Sequence, residues 1–338
     1  MGAQSKIQWT DNTFNPWIGC SKVSAGCANC YAERDNARRK WNPAGWGNGA
    51  PRKRTSESNW SLPRGWNRMA VEMPFSCLGC GVWSKGGKCF NCGKEMIKRR
   101  PRVFCASLAD WLDEEVPYGW LLDLLMLIAE TDNLDWLLLT KRPQNWLARL
   151  RQARNLSLSL DLPNISGWID GWLSGEAPSN VWLGVSVENQ KAANLRIPEL
   201  LSMPAAVRFL SCEPLLGQIC LEAVKNEEDN RIDCVRNLVF CDGRNEPLSL
   251  RNRIDWVICG GESGPKAWPM REVWAIDLLD QCREGGIPFF FKQWGGVHKS
   301  RAGRELEGRT WDEMPQSNPR SPSRRSYGLG SRCIDRTR

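Results

Sequence analysis

Histidine is almost absent: His298 is the only one among 338 residues. Acid–base schemes built on imidazole, and catalytic zinc held by histidine, need positioned rings that this chain does not have. Long apolar runs are missing too. The greasiest stretch, 119–129, is broken by Asp123 and is far shorter than a bilayer span, and the polar start at residues 1–6 has no apolar signal core. The expectation is a soluble, cytoplasmic protein without a membrane partner. Hydrophobic residues still make up 41% of the chain, enough for one large or two ordinary domains, so wholesale disorder is excluded. Cysteine is plentiful, at 15 residues. Thiols stay reduced in the cytosol, so pairs at C-x-x-C spacing point to metal and not to disulfides.

Charge is unevenly spread. The net charge is +8, yet residues 38–102 hold 15 Lys and Arg against Glu57, Glu72 and Glu95, a net +12. Within residues 38–68 the cations alternate with Trp41, Trp46, Trp60 and Trp66. Cations that neutralise phosphates, set beside rings that stack on bases, suit single-stranded or flipped-out nucleic acid. The competing reading is a solvated loop whose tryptophans pack on the body. Six further arginines lie in the Ser-, Pro- and Gly-rich stretch 317–338, and the expectation for 299–338 is a flexible basic tail.

From residue 103 the chain alternates short β-rich runs with amphipathic stretches, which signals an α/β domain. Strands are expected at 103–107, 135–140, 181–187, 207–211, 256–260 and 288–292, nearly continuous apolar runs suited to burial on both faces. Helices are expected at 118–131, from Pro143 onward, and at 271–284 before the Gly285-Gly286 stop. Six strands with crossovers predict a partial parallel (β/α) barrel. An earlier strand at 7–14 would put the first cysteine group in the loop that follows it, where such folds place their chemistry. The division is then 1–37 for that strand and loop, 38–102 for a basic Trp-rich insertion, and 103–298 for the rest of the barrel. Residues 217–253 form a second insertion, whose Cys220, Cys234 and Cys241 lack C-x-x-C pairing and read as small buried hydrophobes.

Two cysteine constellations stand out. Cys77, Cys80, Cys89 and Cys92 form two C-x-x-C knuckles, the pattern of a zinc ribbon-like knob. Four thiolates leave no open position on the ion, so such a Zn2+ site is structural. Cys20, Cys27 and Cys30 are only three. Three thiolates on a [4Fe-4S] cluster leave one iron open to a ligand. The alternatives are a second zinc site completed by a distant cysteine such as Cys105, or simply buried thiols.

The stretches Asn15-Pro-Trp-Ile-Gly-Cys20 with Cys27-Ala-Asn-Cys30-Tyr31, Leu139-Thr-Lys-Arg-Pro143, residues 181–189, residues 208–216, Gly260-Gly-Glu-Ser-Gly-Pro265 and Phe289-Phe-Phe-Lys-Gln-Trp-Gly295 carry a resemblance. Together they are similar to the phage-associated three-cysteine-motif family, which itself resembles radical S-adenosylmethionine enzymes. The resemblance implies a radical-SAM-type partial barrel, a [4Fe-4S] cluster on Cys20, Cys27 and Cys30, and S-adenosyl-L-methionine as the cleaved cofactor. It further implies an external electron donor and a 5′-deoxyadenosyl radical. Two departures are visible: the first cysteine gap is six residues rather than three, and Asn29 stands where an aromatic usually touches adenine, with Tyr31 just beyond.

Polar residues at the expected C-terminal strand ends are the candidates for cofactor and substrate contact, because in parallel barrels the functional loops gather there. Ser107, Thr140, Glu188, Asn189, Gly260, Gly261, Glu262, Ser263 and Gln293, with Tyr31, are assigned to cofactor; Glu188 or Glu262 would hold a ribose or an ammonium group, and the glycines would let it approach. Asp110, Lys141, Glu213 and Lys292 are the candidates for proton transfer and catalysis, while Lys141 and Arg142 would face a phosphate-bearing substrate. The charge asymmetry favours modification or repair of a nucleic acid or nucleotide. Alternatives are a non-catalytic zinc-dependent nucleic-acid-binding protein, or a radical enzyme acting on a peptide or small metabolite.

Overall fold

Seven parallel strands form one curled half-barrel sheet: β1 (Asn12–Thr13), β2 (Arg102–Cys105), β3 (Asp135–Thr140), β4 (Val181–Ser186), β5 (Val207–Cys212), β6 (Trp256–Gly260) and β7 (Phe289–Gln293). Their order across the sheet is their order in the chain, so each strand pairs with its sequence neighbour. The computed structural model describes residues 5–77, 79–241, 244, 246–297 and 302–315. Six of the seven strands lie within about two residues of the apolar runs that predict them. The first is the exception: of the strand expected at 7–14 only Asn12–Thr13 forms. Trp9 instead turns in from a bend closed by Thr10 N–H on the Ile7 carbonyl, and its ring is buried against Phe104 and Trp256.

Strand alternation divides the core in two. One face packs against the helices α3 (Tyr118–Glu130), α4 (Trp146–Ser159), α6 (Gln190–Ser202) and α7 (Glu272–Glu284), through Leu121, Leu124, Leu150, Ile197 and Leu278. The concave face is filled by Trp9, Phe104, Leu137, Trp182, Phe209, Trp256, Ile258 and Phe290. Trp256 sits among four of these rings, 5.8–6.3 Å from Trp9, Trp182, Phe209 and Phe290. A Cβ at position 184 would come within 2.3 Å of the Phe209 ring, so Gly184 makes room for this plug. Two residues further along several strands the same face turns small or polar, with Ser186, Ser211, Gly260 and Lys292.

The basic segment is part of the body. Its helix α2 (Glu57–Glu72) buries Trp60 and Trp66 in the helix-side core, and Trp60 meets Phe14 edge-on at 5.5 Å. These two rings are therefore closed to bases, and only Trp41 and Trp46 remain half-exposed. Helices α1 (Tyr31–Arg39) and α5 (Pro163–Leu173) complete the helical set used here. The second insertion is a four-stranded antiparallel meander; Cys234 in it is buried as expected, but Cys220 is exposed. Of the tail expected over 299–338, residues 302–315 pack on the barrel: Leu306 and Trp311 are buried, and the Trp256 indole N–H donates to the Glu313 carbonyl at 2.9 Å. Residues 316–338 lie outside the described residues. No helix among the described residues is long and apolar enough to cross a membrane.

Candidate functional site

The cysteine loop begins where β1 ends and lies across the C-terminal edge of the sheet, held there by three clamps. The Glu262 carboxylate, just past β6, accepts from Asn29 Nδ2 and from the Trp268 N–H, both at 2.9 Å. The Glu188 carboxylate, just past β4, accepts the Gly26 N–H at 3.5 Å and pairs with Arg196 of α6 at 2.8 Å. Arg142, just past β3 and 1% exposed, donates to the Ser21 carbonyl at 3.0 Å, to Ser21 Oγ at 2.8 Å and to Cys20 Sγ at 3.5 Å. Ser21 is gripped a second time by buried Arg52, whose Nε meets Asp113 at 2.8 Å.

These contacts reassign several residues. Glu188 and Glu262 hold the cysteine loop with their carboxylates, Glu262 through Oε2 alone. Asn189 caps α6, accepting the Ala192 N–H at 3.0 Å. Asp110 accepts four hydrogen bonds, from Thr140 Oγ1, the Leu112 and Lys141 N–H groups and Arg142 Nη1, at 2.7–3.2 Å. It orients the β3 end and has no lone pair left for proton shuttling. Arg142 is likewise spent on the protein and not on substrate. Gly261 admits protein rather than ligand: a Cβ there would lie 1.9 Å from the Trp294 carbonyl oxygen. At Gly260 the added atom would meet the Glu213 carboxylate at 2.8 Å.

The groups with polar capacity left at the mouth are Lys141, Ser211, Glu213, Lys292 and Gln293. Lys141 Nζ donates to Ser186 Oγ at 3.1 Å, and Lys292 Nζ pairs with Glu213 at 2.8 Å. Gln293 donates to Ser263 Oγ at 2.5 Å. Tyr31, half-exposed, donates to the Ser107 carbonyl at 2.6 Å, and Ser107 Oγ accepts from Asn15 at 3.0 Å. Ser186 was not among the expected site residues; the signal was its place two residues before Glu188, on the concave face. Arg196 and Arg52 leave no comparable mark in the sequence, because their partners come from distant segments.

The three N-terminal thiols are half-buried. Burial, then the Asp110 charge, pushes the Cys20 thiol up to about 12, against the pull of Arg142. Around Glu188, burial would raise the carboxyl, but Arg196, a Ser24 hydrogen bond and Lys141 outweigh it and hold the group below its usual value. Among the described residues, the metal-ligating set gathered within 4.8 Å is Cys77, Cys80, Cys89 and Cys92, and this set can hold a metal ion such as zinc. Cys77 and Cys92 lie 3.3 Å apart, as do Cys80 and Cys89. The Val82 N–H and the Asn91 side chain draw the Cys80 thiol down to about 6. The knob around them, a three-stranded antiparallel sheet, is tied to the barrel by a bidentate Arg99–Asp11 pair at 2.6 and 2.7 Å.

A family model for proteins of unknown function, DUF5131, matches residues 4–315. The chain belongs to the DUF5131 family. That match spans the whole sheet, the cysteine loop and the knob, so the site described above is built from family sequence. No curated protein and no solved structure matches the chain.

Proposed function

We propose that this DUF5131 protein is a radical S-adenosylmethionine enzyme acting on a nucleic acid or nucleotide. The observation that carries the reading is a three-thiol loop clamped over the C-terminal mouth of a parallel half-barrel by the ends of three different strands. Cys20, Cys27 and Cys30 would hold a [4Fe-4S] cluster; their donor chemistry suits iron, and ligation would deprotonate even the raised thiol of half-buried Cys20. When bound, the cluster and S-adenosylmethionine supply a 5′-deoxyadenosyl radical by one-electron cleavage of the sulfonium, with the electron coming from an external donor.

The chain's own residues supply binding and orientation. Lys141 has the charge to hold a carboxylate, and Glu213 an ammonium group, at the polar layer above the aromatic plug. That plug closes the half-barrel below the mouth and keeps water out from that side. Lys292, in the same layer and paired with Glu213 at 2.8 Å, is the group we assign to proton transfer. In the knob, the four cysteines would hold zinc as a closed structural site.

Anaerobic reconstitution with iron and sulfide tests the reading. The expected result is a brown, reducible protein that releases 5′-deoxyadenosine from S-adenosylmethionine with dithionite, and a Cys27→Ala variant that releases none. Colourless protein carrying zinc at both cysteine groups would overturn it and leave the zinc-dependent binding protein.

A further inference from the structure

A cleft of about 420 Å³ opens beside the cysteine loop, lined by Arg39, Lys40, Trp41, Lys53, Arg54 and Ser56 among others. Several other cations of this segment are neutralised from elsewhere in the fold, among them buried Arg52 by Asp113 and half-buried Arg99 by Asp11. In the cleft, Arg54 is paired with Asp123 at 2.9 Å and lies 3.9 Å from exposed Glu57. Among the described residues Arg39, Lys40 and Lys53 have no carboxylate within ion-pairing distance. Lys53 Nζ instead donates to the Trp41 carbonyl at 2.8 Å, and the Arg39 guanidinium lies over the Trp41 ring at 5.1 Å. All three are exposed at the cleft wall, and three unpaired like charges on one concave surface attract an anion. Ser56, which caps α2 by accepting the Asn59 N–H at 3.3 Å, brings the positive end of a 16-residue helix to the same wall.

The cleft is linked to the cysteine loop through the chain and its packing. Lys53 is paired in a short antiparallel ladder with Ile18, two residues before Cys20. Arg39 ends the helix that starts directly after Cys30, roughly 12 Å along its axis at 1.5 Å per residue. Cys30, Trp41 and Trp46 share one small apolar cluster with Ile18, Ala32 and Leu108.

We infer that this cleft binds the phosphates of a single-stranded nucleic acid, with half-exposed Trp41 as a face for a base, so that the strand enters the half-barrel past the cysteine loop. The inference rests on the nucleic-acid reading above and names where that substrate is held.

The test is anisotropy of a labelled single-stranded thymidine oligonucleotide against the full chain over a series of KCl concentrations. An Arg39→Gln/Lys53→Gln variant, shown by melting to be folded, is expected to bind about tenfold more weakly at low salt, with its log–log salt slope reduced by about 1.4. A Lys85→Gln/Lys88→Gln variant on the knob should bind within about twofold of the parent. Equal binding by the cleft variant, or an equal loss in the knob variant, overturns the cleft assignment while the nucleic-acid reading stands. Displacement by a mononucleotide at the same phosphate concentration overturns the strand in favour of a free nucleotide. Absence of binding by the parent at low salt removes both readings.

Discussion

Asn29 and Glu262 are joined by a 2.9 Å hydrogen bond across 233 residues of sequence, and through it the last two cysteines of the loop are tied to the end of β6. Replacing Glu262 by Ala leaves the Trp268 N–H without its acceptor and the Asn29 amide with the Lys266 carbonyl at 3.1 Å, which costs about 1–3 kcal/mol. The expected outcome is a lowered melting temperature and, after anaerobic reconstitution, less iron per chain than in the parent. Unchanged iron content would mean that the loop does not need this clamp.

The Arg196–Glu188 pair is buried on both sides, each side chain 2% exposed. Glu188→Ala would strand the Arg196 charge, and a loss of roughly 3–5 kcal/mol is expected in chemical denaturation.

Stability should respond to pH through two carboxyls of opposite sign. Glu188 is held below its ordinary 4.5, burial being outweighed by Arg196, so its contribution is present above pH 4.5 and lost as pH falls through the depressed value. Asp135 is pushed up to about 7 by burial, against the weaker pull of Arg100. Its carboxyl therefore favours the folded chain when protonated, and that contribution fades as pH rises from about 4 through about 7. Asp135→Asn should stabilise the protein at pH 8 relative to the parent, with the advantage shrinking toward pH 4, as read by urea midpoints.

Two glycines should respond oppositely to alanine. Gly261→Ala forces a methyl against the Trp294 carbonyl and is expected to cost roughly 3 kcal/mol. At Gly65, inside α2, an added Cβ meets nothing within 4 Å, and alanine should gain about 0.5–1 kcal/mol. Thermal melts of both variants check the pair.

Removing one thiolate of the four-cysteine set should act locally. A Cys80→Ser variant is expected to lose bound zinc and to show faster amide exchange over residues 75–98, while β3 to β6 keep their protection. Loss of protection throughout the sheet would show that the knob is needed for the fold.

The sheet was legible because strands buried on both faces must be written as nearly unbroken apolar runs; residues 135–140 and 256–260 were placed without error. β1 was not, since Trp9 serves the concave core from a turn, and an apolar residue looks the same whether it reaches the core from a strand or a bend. The rim residues were found by position, but their partners within the protein were not. Glu188, Glu262 and Asp110 do lie at strand ends, yet their partners are Gly26, Asn29 and Arg142, and no local pattern announces which donor claims a carboxylate. The same holds for Trp60 and Trp66: alternation with cations suggested base stacking, whereas helix α2 turns both rings into the core.

The cysteine loop is made long before its clamp at Glu262. A ribosome adding roughly 5–20 residues per second delivers Glu262 on the order of ten to fifty seconds after Asn29. During that interval the thiols have emerged without one of their clamps. The loop is therefore held in place only once the end of β6 has followed it out of the ribosome.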